Sequence, residues 1–160
     1  MLRLSKLTDY ATVILSYMAR DNVTLHATVE IAEVTGIALP TVSKILKLLL
    51  NAHIVNSTRG AKGGYILARA PEKVTVASVI SAIEGPIAIT ECSISAHRCD
   101  QSSGCKIRAN WGLINQTIYN ALEAITLADM IQPVNLPLVP LVGKISSPTG
   151  HPFIPVSQGV

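Results

Sequence analysis

The pattern of apolar and polar positions in residues 1–52 predicts three helices. The stretch LTDYATVILSYMARD predicts the first, and Thr8 or Asp9 is a suitable N-terminal cap for it. The stretch ATVEIAEVTG predicts a short second helix that ends at Gly36, since glycine readily adopts the left-handed conformation. A third helix is predicted from Pro40, which is tolerated in a first turn, to about Ala52. Its apolar positions recur at helical spacing, and they are Val42, Ile45, Leu46, Leu49 and Leu50. A short helix, a glycine turn and a second helix are typical of a helix-turn-helix.

Two short strands are predicted to follow the third helix. The segments HIVNST and GYILAR have the character of strands, and the segment RGAKGG separates them. Because this six-residue segment holds three glycines and two cations, it predicts a polar hairpin loop. A basic hairpin placed directly after a helix-turn-helix makes the whole unit a winged helix-turn-helix.

The second half of the chain predicts further helices. The segment TVASVISAIEG predicts one that is closed by Gly85 and Pro86, and a longer helix is predicted from about Lys106 to Ile125. The segment TLAD has the shape of a capping box and starts a last short helix. On the long helix, apolar residues separated by alternating steps of four and three form a narrow seam, which consists of Ile107, Trp111, Ile114, Ile118, Ala121 and Ile125. Such a seam packs either on the core of its own chain or against a second copy, and we favour a dimer interface.

These elements divide the chain into four predicted parts. Residues 1–84 form a winged helix-turn-helix DNA-binding domain, and residues 85–105 form a loop that contains the cysteines. Residues 106–131 form a dimerisation helix and a short terminal helix. Six of the nine prolines fall within residues 132–160, so we expect an extended or disordered tail there. The expected fold class is therefore mainly α with a small β-hairpin wing.

Composition and charge distribution add a partner to this picture. Apolar residues make up 49% of the chain and charged residues only 14%, which is enough for an aliphatic core. Residues 1–80 carry nine Lys and Arg against five Asp and Glu, a net charge of +4, whereas residues 81–160 carry four against five. A basic excess confined to the predicted helix-turn-helix domain favours a polyanionic partner. No apolar run of 18 residues occurs in the sequence, so no membrane span is expected.

The candidate DNA contacts lie at the start of the third helix and in the wing. A helix that enters the major groove presents its N-terminal side chains to the base edges. The candidates on this helix are Thr41, Ser43, Lys44 and Lys47, the last of which can reach a phosphate. The wing adds Arg59, Gly60 and Lys62. An arginine at a wing tip commonly enters the minor groove. The alternative is that these cations are ordinary solvated surface residues.

All three cysteines lie in the segment CSISAHRCDQSSGC, with the spacing C-x6-C-x5-C. Their polar neighbours argue against a role in a structural core. The gaps of six and five residues are wider than those of a zinc knuckle, although His97 could complete a Cys3His zinc site. An iron–sulfur cluster accepts such an irregular loop, because several irons each need one protein ligand. A redox-switching disulfide is the remaining alternative. Three clustered thiols also favour a reducing cytoplasm over secretion.

Together these motifs resemble the winged-helix transcriptional regulators that carry an iron–sulfur cluster, a family that includes IscR, the SUF-system assembly regulator and NsrR. The resemblance covers residues 1 to about 131. It is carried by the opening MLRLSKLTDYA, the wing RGAKGGYIL, the helix VASVISAIEGP, the cysteine spacing and the segment ITLADMI. It implies a homodimer joined through the helix around 106–125, a palindromic operator in double-stranded DNA, and cluster-dependent repression or activation.

The same resemblance implies that Cys92, Cys99 and Cys105 hold a [2Fe-2S] or [4Fe-4S] cluster. The fourth ligand departs from the pattern of IscR-like members, which use a histidine three residues after the last cysteine. That position is Arg108 here, and a guanidinium group cannot ligate iron. Nitric-oxide-sensing members use an aspartate at the start of the first helix of the partner subunit, and the matching residue is Asp9. We rank Asp9 first, then His97, the candidate within the loop, and then a small thiol or water.

The sequence thus predicts an iron–sulfur-sensing DNA-binding regulator, expected to act as a repressor of cluster-assembly genes. One alternative is a repressor that responds to nitric oxide or redox stress, and another is a winged-helix DNA-binding protein stabilised by zinc. An enzyme is not expected, because no C-x-x-C pair, phosphate-binding loop or Ser/His/Asp arrangement accompanies the cysteines.

Overall fold

The computed structural model describes residues 3–60, 62–94 and 105–132. Helices dominate these ranges, and one antiparallel hairpin provides the two strands of the described sheet. In chain order the elements are α1 (Lys6–Arg20), α2 (Thr28–Thr35), α3 (Leu39–Asn51), β1 (Val55–Thr58), β2 (Gly64–Leu67), a 3₁₀ turn (Pro71–Lys73), α4 (Val76–Glu84), α5 (Glu91–Ile94), α6 (Arg108–Glu123) and α7 (Leu127–Ile131). The predicted fold class, mainly α with a β-hairpin wing, is confirmed.

Helix α1 begins earlier than its sequence pattern suggests. Its N-terminal cap is Ser5, whose side chain accepts a hydrogen bond of 3.2 Å from the backbone N–H of Thr8. The expectation that Thr8 or Asp9 caps the helix is therefore wrong. Thr8 already lies in the first turn, where its side chain is 1% exposed and faces the end of α4. A serine three residues upstream is an equally good cap by its chemistry, so only the tertiary contact of Thr8 decides between them.

The helix-turn-helix consists of α2 and α3. Gly36 closes α2 in the left-handed conformation, with φ of 68°, and its N–H donates to the carbonyl oxygen of Ala32 at 3.0 Å. Pro40 lies in the first turn of α3, as predicted. One face of α3 is fully buried against α1 and the wing, because the apolar residues Val42, Ile45, Leu46 and Leu49 repeat every three or four positions. Burial of this face fixes the opposite face of α3 toward solvent.

The wing is a two-stranded hairpin that follows α3 directly. Its register pairs Val55 with Leu67 and Thr58 with Gly64. Both predicted strands are present, and each is two residues shorter, at the base of the hairpin, than the segment that predicted it. Val55 and Leu67 are buried at the base of the hairpin, whereas residues 56–60 are exposed. The hairpin is therefore anchored at its base and projects its tip into solvent.

The C-terminal elements return to the N-terminal core. The N–H of Val76 donates to the carbonyl oxygen of Ile125 at 2.9 Å, and the N–H of Leu127 donates to that of Val74 at 2.7 Å. Thr126 caps α7 in the predicted capping box with Asp129, and Leu127 joins the same buried cluster as α1 and α3. Within the described residues, no helix is both long and apolar enough to cross a bilayer. The predicted tail lies outside the described residues from 133 onward.

Candidate DNA-binding surface and cysteine segment

The predicted contacts of α3 lie on its outward face. Ser43, Lys44 and Lys47 are exposed, and Thr41 is half-buried at the first turn. None of these side chains is used in the packing of the buried face described above. The lysines can therefore reach phosphates, and Ser43 can approach base edges, without any change in the fold.

The tip of the wing carries the second set of cations. Arg59, Gly60 and Lys62 are all exposed. The turn requires glycine at two positions: Gly60 has φ of 121°, and a Cβ atom on Gly63 would lie 2.3 Å from the carbonyl oxygen of Thr58. The N–H of Gly63 donates to the carbonyl oxygen of Gly60 at 2.9 Å and closes the turn. The tip is thus a narrow glycine turn with a cation on either side.

Helix α3 and the wing are joined tightly at their common end. The N–H of Ile54 donates to the carbonyl oxygen of Leu49 at 2.9 Å, and the N–H of Ala68 donates to that of Ile54 at 2.9 Å. Ile54 is 1% exposed and lies between the two elements. This connection holds both sets of cations on one structural unit, as two-site recognition of a duplex requires.

The predicted loop that contains the cysteines, residues 85–105, is called the cysteine segment below. It is attached to α6 at both of its ends. At its entry, the side-chain amide of Asn115 accepts from the N–H of Ile89 at 3.0 Å and donates to the carbonyl oxygen of Ile87 at 3.2 Å. At its exit, Cys105 lies half-buried just before α6, and the N–H of Arg108 lies 3.4 Å from its carbonyl oxygen. Helix α5, which contains Cys92, packs on α6 as well. The described residues on either side of positions 95–104 therefore both lie beside α6.

The structure places the candidate ligands only in part. Asp9 is exposed on the first turn of α1, where an acid also favours the helix dipole. Cys99 and His97 lie outside the described residues, and so does the side chain of Cys92. Among the side chains that are described, no three histidines, cysteines or acids lie close enough together to hold a metal ion. The chemistry of the donor set, three thiols and a carboxylate, fits an iron–sulfur cluster.

A carboxylate that the sequence did not single out connects α4 to α1. Glu84, the last residue of α4, accepts hydrogen bonds at Oε1 from the N–H of Ser5 at 2.9 Å and from the hydroxyl group of Thr8. These two donors hold the pKa of Glu84 below its usual value, with the Thr8 hydroxyl as the largest cause. Glu84 precedes Gly85, where the chain leaves α4 toward the cysteines with φ of 89°. The start of the cysteine segment is thereby tied to the start of α1.

Beside this link lies an open apolar pocket of about 530 Å³. It lies between the start of α1, the end of α4 and α6, and its lining includes Leu4, Ile87, Ile118 and Leu122.

The sequence gave no signal for Glu84 or Asn115, because their hydrogen-bond partners are distant in the chain. Asn115 is followed by Gln116 and Thr117, so the sequence does not distinguish it from an ordinary surface residue of the long helix.

A family model described as Rrf2, iron-dependent transcriptional regulator, matches residues 4–133 of this chain. Among curated proteins, the protein rrf2 of Nitratidesulfovibrio vulgaris is 34% identical over 107 residues, which cover 67% of this chain and 71% of that protein. The HTH-type transcriptional repressor NsrR of Streptomyces coelicolor is 28% identical over 151 residues, or 93% of this chain and 100% of the repressor.

Among solved structures, IscR of T. potens is 28% identical, with a TM-score of 0.61, and the match covers 81% of this chain and 86% of that one. These relatives are transcriptional regulators and not enzymes, in agreement with the expectation from the sequence.

Proposed function

The chain belongs to the Rrf2 family of iron-dependent transcriptional regulators, and from this premise we propose that it senses an iron–sulfur cluster and represses genes for cluster assembly. It acts as a homodimer on a palindromic operator in double-stranded DNA. The proposal places it in the cytoplasm, where reducing conditions keep the three thiols available as ligands.

The observation that carries the proposal is the attachment of the cysteine segment to α6 at both ends. Asn115 holds the entry through Ile87 and Ile89, and Cys105 begins the turn into α6. When both ends of a segment are held on one helix, the entropic cost of closing the segment around one shared group is lower. The same segment starts at Glu84, whose carboxylate reaches α1 in the DNA-binding domain.

In this proposal Cys92, Cys99 and Cys105 are the protein ligands of the cluster. Asp9 of the partner subunit is the preferred fourth ligand, and His97 is the alternative. A bound cluster supplies a centre that oxidants, nitric oxide or iron shortage can alter or remove. The protein converts that change into movement at the base of the loop, through the contacts of Asn115 on one side and Glu84 on the other.

DNA recognition in this proposal uses the two cationic sets together. Ser43 and Lys44 contact the major groove, and Arg59 enters the minor groove beside it. Two copies joined through α6 place two α3 helices on half-sites about one helical turn apart. A change in the loop alters that spacing, and such a coupling between two sites typically amounts to about 1–3 kcal/mol. By linkage, operator DNA stabilises or destabilises the bound cluster by the same factor.

Anaerobic purification of the full chain tests the proposal. We expect a coloured protein with iron and labile sulfide, and operator affinity that changes when the cluster is removed by a chelator. The triple variant Cys92→Ala, Cys99→Ala, Cys105→Ala is expected to be colourless and to give the same affinity with and without chelation. Colourless wild-type protein with one zinc per chain would support the zinc alternative. Protein without iron, sulfide or zinc after anaerobic reconstitution would refute the metal-sensing role altogether.

A second candidate function is a repressor that responds to nitric oxide or redox stress. The long match to the repressor NsrR and the position of Asp9 favour it. Titration of the anaerobic protein with nitric oxide separates the two functions. Release of DNA at a few equivalents of nitric oxide per cluster supports the second, whereas release only on iron removal supports the first.

A further inference from the structure

His26 lies at the meeting point of α1, α2 and the wing, and none of the motifs discussed above includes it. It is 4% exposed, although it lies in a loop whose neighbours Leu25 and Ala27 are exposed. Histidine is often partly exposed, and a buried polar side chain has to find hydrogen-bond partners. The contacts of His26 therefore show which elements of the fold this residue connects.

The backbone of His26 is paired with the wing. Its N–H donates to the carbonyl oxygen of Tyr65 at 2.8 Å, and the N–H of Tyr65 donates to the carbonyl oxygen of His26 at 2.9 Å. The neighbouring strand residue, Gly64, packs directly on this backbone, since a Cβ atom there would lie 2.7 Å from the carbonyl oxygen of His26. The start of β2 is thus held against residue 26, immediately after the glycine turn at the wing tip.

The side chain of His26 is held by the two helices on the other side. Its Nε2 lies 2.8 Å from the carbonyl oxygen of Asp21, just after α1, and its Nδ1 lies 3.3 Å from Oε1 of Glu30 in α2. The ring of Tyr17 from α1 packs edge-on against the imidazole, with centroids 5.1 Å apart. One residue therefore joins the wing by its backbone to both helices by its side chain.

Both polar partners of the imidazole are acceptors. The Asp21 carbonyl oxygen cannot donate, and the pKa of Glu30 lies below its usual value, chiefly because the hydroxyl group of Tyr17 donates to the carboxylate at 2.5 Å. Both hydrogen bonds of His26 form together only when both ring nitrogens carry a proton. The titratable side chains that interact with the ring are Tyr17 and Asp21 from the α1 side and Glu30 from α2.

We infer that His26 is a positioning residue for DNA binding, which fixes the wing relative to the helix-turn-helix through its doubly hydrogen-bonded side chain. The inference rests on the proposed contact of Arg59 with DNA. With the side chain in place, the wing tip is held at one distance from α3, and the entropic cost of ordering it on the duplex is reduced. Without the side chain, the backbone pairing alone holds the wing, and the tip samples more positions.

A double-mutant cycle between His26 and Arg59 tests this inference. The full chain first selects a 30-base-pair duplex from a random library, and all variants are then titrated with that duplex by fluorescence anisotropy, without any added metal. We expect Arg59→Ala to weaken binding about tenfold in the wild-type background. In the His26→Phe background, which keeps the ring but loses both donors, we expect the same change to weaken binding less than about threefold.

Two further variants distinguish a positioning role of His26 from a loss of stability. His26→Gln keeps one donor and is expected to restore part of the coupling, and it replaces His26→Phe if that variant does not fold by circular dichroism. Thr24→Ala removes a hydrogen bond of 2.6 Å to the Asp21 carboxylate in the same loop. In this background, Arg59→Ala is expected to weaken binding about tenfold, as it does in the wild-type background.

The possible results separate the inference from its premise. Additive effects of the His26 and Arg59 changes, or equal coupling in Thr24→Ala and His26→Phe, would overturn the role of His26 and leave the DNA contact intact. If Arg59→Ala has no effect in the wild-type background, the wing contact itself is wrong and the inference falls with it. The inference is supported if the effects of His26→Phe and Arg59→Ala are not additive and the deviation from additivity is smaller with His26→Gln.

Discussion

The hydroxyl group of Thr8 donates a hydrogen bond to Oε1 of Glu84, although 76 residues separate the two in the chain. Thr8 is fully buried in the first turn of α1, and Glu84 is the last residue of α4. The pair connects the first turn of α1 to the point where the chain departs toward the cysteines. Since Glu84 also accepts from the N–H of Ser5, one carboxylate fixes both the cap and the first turn of α1.

Replacement of Thr8 by valine keeps the shape of the side chain and removes the donor. We expect the free energy of unfolding at pH 7 to fall by about 1 kcal/mol, the usual net value of one hydrogen bond to a partly solvated group. The pKa of Glu84 is lowered in the folded state, so its contribution to stability is present above the ordinary glutamate pKa of 4.5 and is lost as the pH falls through the folded pKa. The difference between Thr8→Val and wild type should therefore shrink below about pH 4.5.

Denaturant titrations at pH 7 and pH 3.5 measure this difference at one fixed protein concentration. Thr12→Val is the matched control, because its hydroxyl group donates to a backbone carbonyl oxygen, that of Thr8, one turn further along α1. The cost of the control should not depend on pH in this range. A cost of Thr8→Val that stays constant down to pH 3.5 would show that the ionised Glu84 is not its partner.

The second prediction concerns Asn115, whose amide makes two different hydrogen bonds at the entry to the cysteine segment. Asn115→Asp keeps the acceptor for the N–H of Ile89 but cannot donate to the carbonyl oxygen of Ile87, whereas Asn115→Ala loses both bonds. We expect hydrogen exchange at the amide of Ile89 to be about tenfold faster in Asn115→Ala and nearly unchanged in Asn115→Asp.

Amide exchange followed by NMR on the protein without a cluster gives this result directly. Gln116→Ala is the control on the same helix, since its side chain bonds only to Asn120 at the exposed surface. Equal protection of Ile89 in all three variants would mean that the amide pair does not hold the segment in solution.

The elements that the sequence predicted correctly are those with a local physical cause. Gly36 ends α2 because of its own conformation, and Thr126 caps α7 through a residue three positions away. The fate of Thr8 was not predictable in this way, because its partner lies at the far end of another helix. The same holds for His26, whose partners come from α1, α2 and β2. Periodicity reports which face of a helix is apolar, but it does not report which distant polar group a side chain meets.

The exposure of the candidate DNA contacts on α3 was easier to predict from the sequence than the identity of the fourth ligand. The exposed residues of α3 follow from the burial of the opposite face, which the apolar pattern specifies. The choice between Asp9 and His97 depends on which group approaches the cysteines in a dimer, and no pattern within one chain encodes that approach. For that reason the fourth ligand rests on resemblance alone.

The third prediction therefore decides between Asp9 and His97. In anaerobically reconstituted protein, we expect Asp9→Ala to change the visible circular dichroism of the cluster and to accelerate its loss in air. We expect His97→Ala to leave both unchanged, as should Glu33→Ala, which removes an exposed acid elsewhere in the same domain. The reverse result would make His97 the ligand. No change in either variant would point to a small thiol or water in the fourth position.

Mixed dimers test whether Asp9 comes from the partner subunit. One subunit carries Asp9→Ala with intact cysteines, and the other carries intact Asp9 with all three cysteines replaced by alanine. If the aspartate crosses the dimer, the intact cysteines meet an intact Asp9, and one site of wild-type spectrum forms per dimer. If the aspartate acts within its own chain, the single site that forms keeps the altered spectrum of Asp9→Ala.

The last prediction concerns the outward face of α6. Within the predicted seam, Trp111 and Ile118 are half-buried, whereas Ile107 is 54% exposed and Ile114 is 43% exposed. The seam thus divides between contacts inside the chain and an apolar strip that faces solvent, and large exposed apolar groups indicate an interface. A carboxylate buried there without a partner is costly, so Ile114→Glu should raise the dissociation constant of the dimer about 100-fold or more. Sedimentation should show monomers of Ile114→Glu at a concentration where Gln116→Glu, also exposed on α6, remains dimeric. Dimers of equal stability in both variants would exclude Ile114 from the interface and leave the seam to the core of its own chain.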